Sequence, residues 1–167
     1  LQIFEGAGPS TFALNEFNPI FMRDRPRLQV NTLGGNNETY GGNVVGSILQ
    51  GPVSASAGAF RYWSEPDFRD NFDVQHTVYN LFAQAMFHPT LNVQGEYRYR
   101  KSEYGDLTLN FDPKNFLPTQ KQTIEENVGR AGVRFSPAPH SDIVGSYIYS
   151  QREQNNFIPG VPTLDGG

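Results

Sequence analysis

The decapeptide LNVQGEYRYR at residues 91–100 alternates without a break. Leu91, Val93, Gly95, Tyr97 and Tyr99 hold the odd positions; Asn92, Gln94, Glu96, Arg98 and Arg100 hold the even ones. Successive side chains on a strand point to opposite faces, so the segment is a strand with one apolar, aromatic face and one strongly polar face. What covers the odd face, a protein core or lipid, decides the fold class.

The same period recurs along the chain. It predicts strands near 26–33, 40–50, 53–64, 74–87, 91–111, 124–135 and 142–152. No window carries a 3.6-residue apolar repeat, so helix content should be near zero. Residues 1–25 read as an extended lead-in, 26–153 as about seven strands, and 154–167 as a loop or the start of a continuation. The expected fold is all-β, an antiparallel up-and-down meander. No run of about 20 apolar residues occurs, which leaves no transmembrane helix but does not bear on a membrane barrel.

The connections narrow the choice. They read GGNNET, QGP, EPDFRDNFD, HPT, DPKNFLPTQKQT and SPAPHS. The second, fourth and sixth are shorter, Pro-containing turns; the third and fifth are longer, polar and charged, and the first is short but Gly/Asn-rich. A meander with two such unlike ends has the asymmetry of an outer-membrane barrel, with its short periplasmic turns and longer extracellular loops. Composition agrees: charged residues make up 18% and aromatics 13% of the chain, against about 25% charged in typical soluble domains. The net charge of −4 without a Lys/Arg-dense run speaks against nucleic acid as a partner.

Aromatic placement follows the same polarity. All eight tyrosines (Tyr40, Tyr62, Tyr79, Tyr97, Tyr99, Tyr104, Tyr147 and Tyr149) and Trp63 fall away from the short turns, while Phe87 and Phe135 sit beside them. From Leu91 to Tyr99 is eight residue steps, roughly 21 Å of height at a tilt near 40°, close to an apolar band about 25 Å tall with aromatic girdles. Tyr62, Tyr79, Tyr97, Tyr99, Tyr147, Tyr149, Phe87 and Phe135 are the expected girdle. Val53, Ala55, Ala57, Leu81, Ala83, Ala85, Leu91, Val93 and Gly95 would face outward between its two rings. Ser54, Ser56, Asn80, Gln84, Asn92, Gln94, Glu96, Arg98, Arg130 and Arg134 would line a wet lumen.

Three local expectations follow. The apolar side of strand 53–64 passes from Ala57 to Phe60, which predicts a bulge near Gly58 or Ala59. The strand at 40–50 alternates too poorly to assign faces. The segment 91–111 keeps its alternation through Leu107, Leu109 and Phe111, a length that favours a large barrel.

Signals for other chemistry are weak. The inward arginines could tune selectivity for anions, or simply solvate a polar face and pair with Glu96 or Glu125. Asp67, Asp70 and Asp73 match no calcium-loop spacing. His76, His88 and His140 lack metal-ligand spacing, and no cysteine is present. No G-x-S-x-G motif occurs, and EGAGPST lacks the Gly-Lys-Ser/Thr ending of a phosphate loop. The NET tripeptide at Asn37 fits a glycosylation pattern that has no meaning in a bacterial source. No catalytic, cofactor-binding or metal-binding residue is therefore expected, and no enzymatic activity.

Seven strands are an odd number, whereas single-chain bacterial barrels have even numbers and an open edge in lipid is costly. The expectation is a segment of a longer barrel, and the start at LQIFEGAG, without Met, reads as a mature or truncated piece.

The segments EFNPIFMRDR, GPVSASAGAFRYWSEPDFRDNFDVQHTVYNLFAQAMFHPTLNVQGEYRYRKSEYGDLTLNFDP and GRAGVRFSPAPHSDIVGSYIYSQRE together resemble the C-terminal barrel of certain proteobacterial outer-membrane proteins. Those proteins carry tetratricopeptide repeats ahead of the barrel and are often labelled TonB-dependent-receptor-like. The resemblance spans residues 16 to about 153 and implies an outer-membrane location, a longer barrel and a periplasmic repeat domain. It supplies no substrate, and neither a TonB box nor a plug is visible in these residues.

The resulting expectation is a segment of a porin-like transport or secretion conduit. Its partners would be outer-membrane lipid and the remainder of the barrel or neighbouring chains, and loops 65–73 and 112–123 would set selectivity. Two alternatives differ in class: a barrel that chiefly anchors periplasmic repeats or a partner complex, and a soluble carbohydrate-binding β-domain whose tyrosines stack on sugars.

Overall fold

The computed structural model describes residues 21–36, 38–65, 71–106, 119–138 and 140–157. Seven strands follow one another: β1 (Arg27–Gly35), β2 (Thr39–Gln50), β3 (Val53–Ser64), β4 (Val74–His88), β5 (Leu91–Tyr104), β6 (Lys121–Ala138) and β7 (Ser141–Phe157). They form one open antiparallel sheet in the order β1-β2-β3-β4-β5-β6-β7, and no helix occurs among the described residues. The meander and its period-two origin are as the alternation predicts.

Pairing register assigns every strand residue to one of two faces, because residues directly opposite in an antiparallel ladder share a face. One face, here the apolar face, carries Leu28, Val30, Val44, Ile48, Val53, Leu81, Val93, Val133, Ile143 and most of the tyrosines. The other, the polar face, carries Ser47, Ser54, Ser56, Gln84, Gln94, Glu96 and the arginines of β5 and β6. The strand residues that are buried, including Val45, Ser54, Ser56, Val78, Gln94 and Ser102, all lie on the polar face. Crowding confined to one side of a single sheet is what curvature toward that side produces. The molecule thus inverts the usual arrangement: large apolar side chains are exposed and polar ones are packed together.

The two ends of the sheet differ. β2–β3, β4–β5 and β6–β7 are joined by two residues each, 51–52, 89–90 and 139–140; the other end has connections at 36–38, 65–73 and 105–120. Gly51 in the first short turn has φ 54°, a left-handed conformation that glycine adopts without steric cost.

The short turns also step along the sheet. Val53, which opens β3, pairs with Ala85, three residues before His88 at the end of β4. Leu91, which opens β5, pairs with Phe135, three residues before Ala138 at the end of β6. Each pair of strands therefore moves the turn line by about 1.5 residues per strand, or ~5 Å along the chain for every ~4.8 Å across it. Irregularities at Met86/His88 and Phe135/Ala138 take up part of each step.

Several expectations are corrected. No register shift occurs near Gly58 or Ala59: β3 pairs residue for residue with both β2 and β4. Strict alternation is kept instead, so Phe60 and Tyr62 fall on the polar face with Ser54 and Ser56, and Tyr62 is not an outward girdle residue. Phe60 lies opposite Val78, an apolar island inside the polar face. β5 runs to Tyr104, and the next two residues stay tied to the segment before β4: the Gly105 N–H donates to the Asp73 carbonyl and the Asp106 N–H to the Asn71 carbonyl (3.0 and 2.7 Å). The remainder of the 91–111 pattern, from Leu107 on, lies outside the described residues. β6 begins at Lys121 and β7 continues to Phe157, so residues 154–157 are strand rather than loop.

β2 now has faces: Tyr40, Gly42, Val44, Gly46 and Ile48 lie on the apolar side, and Gly41, Asn43, Val45 and Ser47 on the polar side. Of the lead-in, residues 21–25 form a turn with isolated bridges Met22–Arg25 and Arg23–Leu49. Residues 1–20, Asn37, Asp67, Asp70, Leu107, Leu109, Phe111, residues 112–118 and residues 158–167 lie outside the described residues.

Candidate functional site

The polar face carries a series of side-chain interactions that link β4, β5, β6 and β7 at successive heights. Asn80 Nδ2 donates to Glu96 Oε1 at 3.0 Å, and Arg130 Nη1 reaches Glu96 Oε2 at 3.6 Å, so one carboxylate links β4, β5 and β6. Nearer the short turns, Gln94 Nε2 donates to Gln84 Oε1 at 2.9 Å, and Gln94 is only 1% exposed. A buried amide needs such a partner to offset its lost hydration. Nearer the long loops, Arg100, Glu126 and Arg152 lie in one register row on β5, β6 and β7, with Arg100 and Glu126 in an ion pair. Beside the last short turn the Arg134 guanidinium grips Asp142 through two hydrogen bonds of 3.2 and 2.7 Å, and Ser136 Oγ donates to the same carboxylate.

At the loop end of this face His76 stands between two tyrosines. Its ring centroid is 6.0 Å from Tyr62 and 5.4 Å from Tyr104, the latter edge to face, and Nδ1 lies 2.9 Å from Ser102 Oγ. Burial, with Arg100 nearby as a second cause, pushes the His76 imidazole below its ordinary titration range. Above it, the Asn71 side chain donates to the Gln120 carbonyl at 2.9 Å and ties the two longer connections together.

The apolar face is built differently. Tyr40 stacks on Trp63 (6.0 Å, 15°) and Tyr79 on Tyr99 (6.2 Å, 18°), each pair directly opposed across neighbouring strands. Tyr97 donates its hydroxyl hydrogen to Asn127 at 2.7 Å. Beyond these rings, toward the long loops, the same face turns charged: Lys101 reaches Glu103 at 3.1 Å and Glu125 at 3.5 Å. Below them it is apolar down to the short turns apart from Arg61, two residues below Trp63 on β3, and Phe87 beside the turn is 73% exposed.

The aromatic line has a slope. Trp63 pairs with Gln75, four residues from Tyr79; Tyr99 leads through Asn127 to Gln151 on β7, two residues from Tyr149. Between β3 and β7 the line drops toward the short turns by about 1.5 residues per strand, the same step as the turn line and equivalent to an angle of about 47°. Counted from Tyr40 on β2 the angle is about 40°. Turns and aromatics bound an apolar band with parallel edges.

The expected residues sort cleanly apart from Tyr62. Asn80, Gln84, Asn92, Gln94, Glu96, Arg98, Arg130 and Arg134 share the polar face with Ser54 and Ser56. Tyr79, Tyr97, Tyr99, Tyr147, Tyr149 and Phe135 share the apolar face; Phe87, passed over by the register at the Met86/His88 irregularity, sits beside the turn. Arg130 pairs with Glu96, while Glu125 lies on the opposite face with Lys101. Sequence reasoning missed Glu126 and the His76 cluster. Counting back by twos from Arg134 and Arg130 would have found Glu126.

No group of three or more His, Cys, Asp or Glu side chains among the described residues could hold a metal ion. Comparison with protein-family models, with curated proteins and with solved structures finds no match for this chain.

Proposed function

We propose that this sheet is part of the wall of a Gram-negative outer-membrane β-barrel, with the apolar face against lipid and the polar face lining a transport or secretion conduit. The observation that carries the reading is the pair of parallel, sloping edges of the apolar band. Strands in membrane barrels tilt by 35–45° from the barrel axis, so a line level with the bilayer must cross the hydrogen-bond rows obliquely. The turn line and the aromatic line do so in the same sense and at about 40–47°. A soluble sheet packed on a second layer has no cause to align its tyrosines this way. The band is also large: about 27 Å along the strands by roughly 29 Å across them, near 800 Å², above the few hundred Å² usual for a monomer surface.

β1 and β7 are both edges of the sheet and run in the same direction. Unpaired edges are costly in hydrocarbon, and direct β1–β7 closure would be parallel. The full wall therefore takes an odd number of further strands between them, from the remainder of the barrel or from neighbouring chains. Polarised infrared spectroscopy of the protein in oriented bilayers tests the reading. Strands tilted near 40–47° support it; a protein that stays in the aqueous phase, or strands lying flat in the membrane plane, would sink it.

A second reading, a barrel that chiefly anchors a periplasmic domain or partner, has one observation in its favour. Phe21 packs on Phe82 of the polar face at 6.1 Å, and the Asp24 N–H donates to the Leu49 carbonyl. Phe21 thus covers part of the polar face, which on this reading narrows whatever passes through. Intact assembly with little conductance would favour the anchor.

A further inference from the structure

We infer that the polar face is an anion path, suited to small solutes bearing carboxylate or phosphate groups; this rests on the barrel reading above, which makes that face the lumen. The two faces divide the strands' charges unequally. The polar face carries Arg27, Arg98, Arg100, Arg130, Arg134 and Arg152 against Glu96, Glu126 and Asp142. The apolar face carries Arg61, Lys101 and Lys121 against Glu103, Glu125 and Glu153, an even balance. The chain's formal charge is −4, yet its strands hold an excess of three positive charges, all of it on one side.

The type of cation is divided as well. The polar face has arginine only, and both described lysines are on the other face. A guanidinium is planar, weakly hydrated and presents a fork that matches a carboxylate or phosphate edge, which a lysine ammonium does not. Three of the arginines are held in place by carboxylate partners: Arg100 by Glu126, Arg130 by Glu96 and Arg134 by Asp142. Preorganised side chains lose less entropy when they meet a solute.

The spacing suits passage rather than capture. Arg134 lies opposite Val144, and Arg152 is eight residues further along β7, about 27 Å of strand. Arg130 and Arg98 fall between these levels on β6 and β5, and Arg100 shares the row of Arg152. Guanidinium groups thus recur over the whole height of the apolar band. Several weak sites in sequence let an ion enter and leave, where a single deep site would hold it. Low-dielectric walls focus the excess charge into the lumen.

The test is the reversal potential of the full-length protein in a planar lipid bilayer under a potassium chloride gradient. The expected result is a chloride-to-potassium permeability ratio severalfold above unity, with chloride current reduced when inorganic phosphate is added. Arg98→Gln with Arg130→Gln should lower the ratio and relieve the phosphate effect. Arg98→Lys with Arg130→Lys should keep the ratio and lose the phosphate effect, and Lys101→Gln on the lipid side should change neither. Channels that prefer potassium, or show no preference, would overturn the anion path and leave the conduit standing. Inserted protein that forms no channel would overturn both.

Discussion

Glu96 and Arg130 lie directly opposite each other in the β5–β6 ladder, 3.6 Å apart on the polar face, with Asn80 donating to the same carboxylate from β4. Both side chains are about one-fifth exposed, so screening is incomplete and the pair contributes more than a surface ion pair. A double-mutant cycle of Glu96→Gln and Arg130→Gln, read by urea unfolding from lipid vesicles, should give a coupling of about 1 kcal/mol. Glu96→Leu removes the acceptor for Asn80 as well and should cost about 2 kcal/mol. Additive single effects would remove the ladder from the account of stability.

Leu81 and Asn80 are adjacent residues on opposite faces. Leu81 is 55% exposed, so in a water-soluble sheet Leu81→Arg would be neutral or better. In a bilayer the same change places a cation inside the apolar band, two residues below Tyr79, and should cost about 1–2 kcal/mol. Asn80→Arg should be tolerated, since an arginine there can reach Glu96. Equal costs for the two variants would count against the assignment of faces.

Gly105 is constrained by a close approach. A Cβ added there would stand 2.0 Å from the Asn71 carbonyl oxygen and 2.6 Å from Asp73 Oδ1. Gly105→Ala must break the two backbone hydrogen bonds that join the long connections, at about 1–3 kcal/mol. Hydrogen exchange should report it as faster exchange at the Gly105 and Asp106 amides, with β4 and β5 protected as before. Unchanged exchange would show that the junction does not hold the two connections together.

His76 makes the pH prediction. Its folded-state value is held down first by burial and then by Arg100. The unfolded chain takes up a proton near pH 6.5, so stability is full above that value and falls as the pH drops through the lower folded-state value. Arg100→Gln should raise the His76 titration midpoint measured by NMR. A midpoint unmoved by that substitution would leave burial as the whole cause.

The meander was legible because alternation, Gly/Pro turns and the absence of a helical period agree with one another. Eight expected lumen residues fell on one face because period two carries face information with no further assumption. What failed were positions where local composition conflicts with the pleat. Phe60 and Tyr62 suggested a switch of face after Ala57, yet pairing on both sides of β3 left no room for an extra residue, and the polar face absorbed them beside Val78. In β2, Gly41, Gly42 and Gly46 erase the alternation, so its faces came from its neighbours. The end of β5 at Tyr104 was invisible because Leu107 and Leu109 continue the alternating pattern beyond it.

The most direct test of the central claim uses single cysteines at Asn92, Val93, Gln94 and Gly95 in a protein that has no native cysteine. Each site is reacted with a water-soluble thiol reagent in membranes, and a fluorophore at the same site is exposed to quencher-bearing lipid. Residues 92 and 94 should react with the aqueous reagent while 93 and 95 are quenched by lipid. If 93 and 95 are shielded from both, the apolar face is covered by protein and the barrel reading is contradicted.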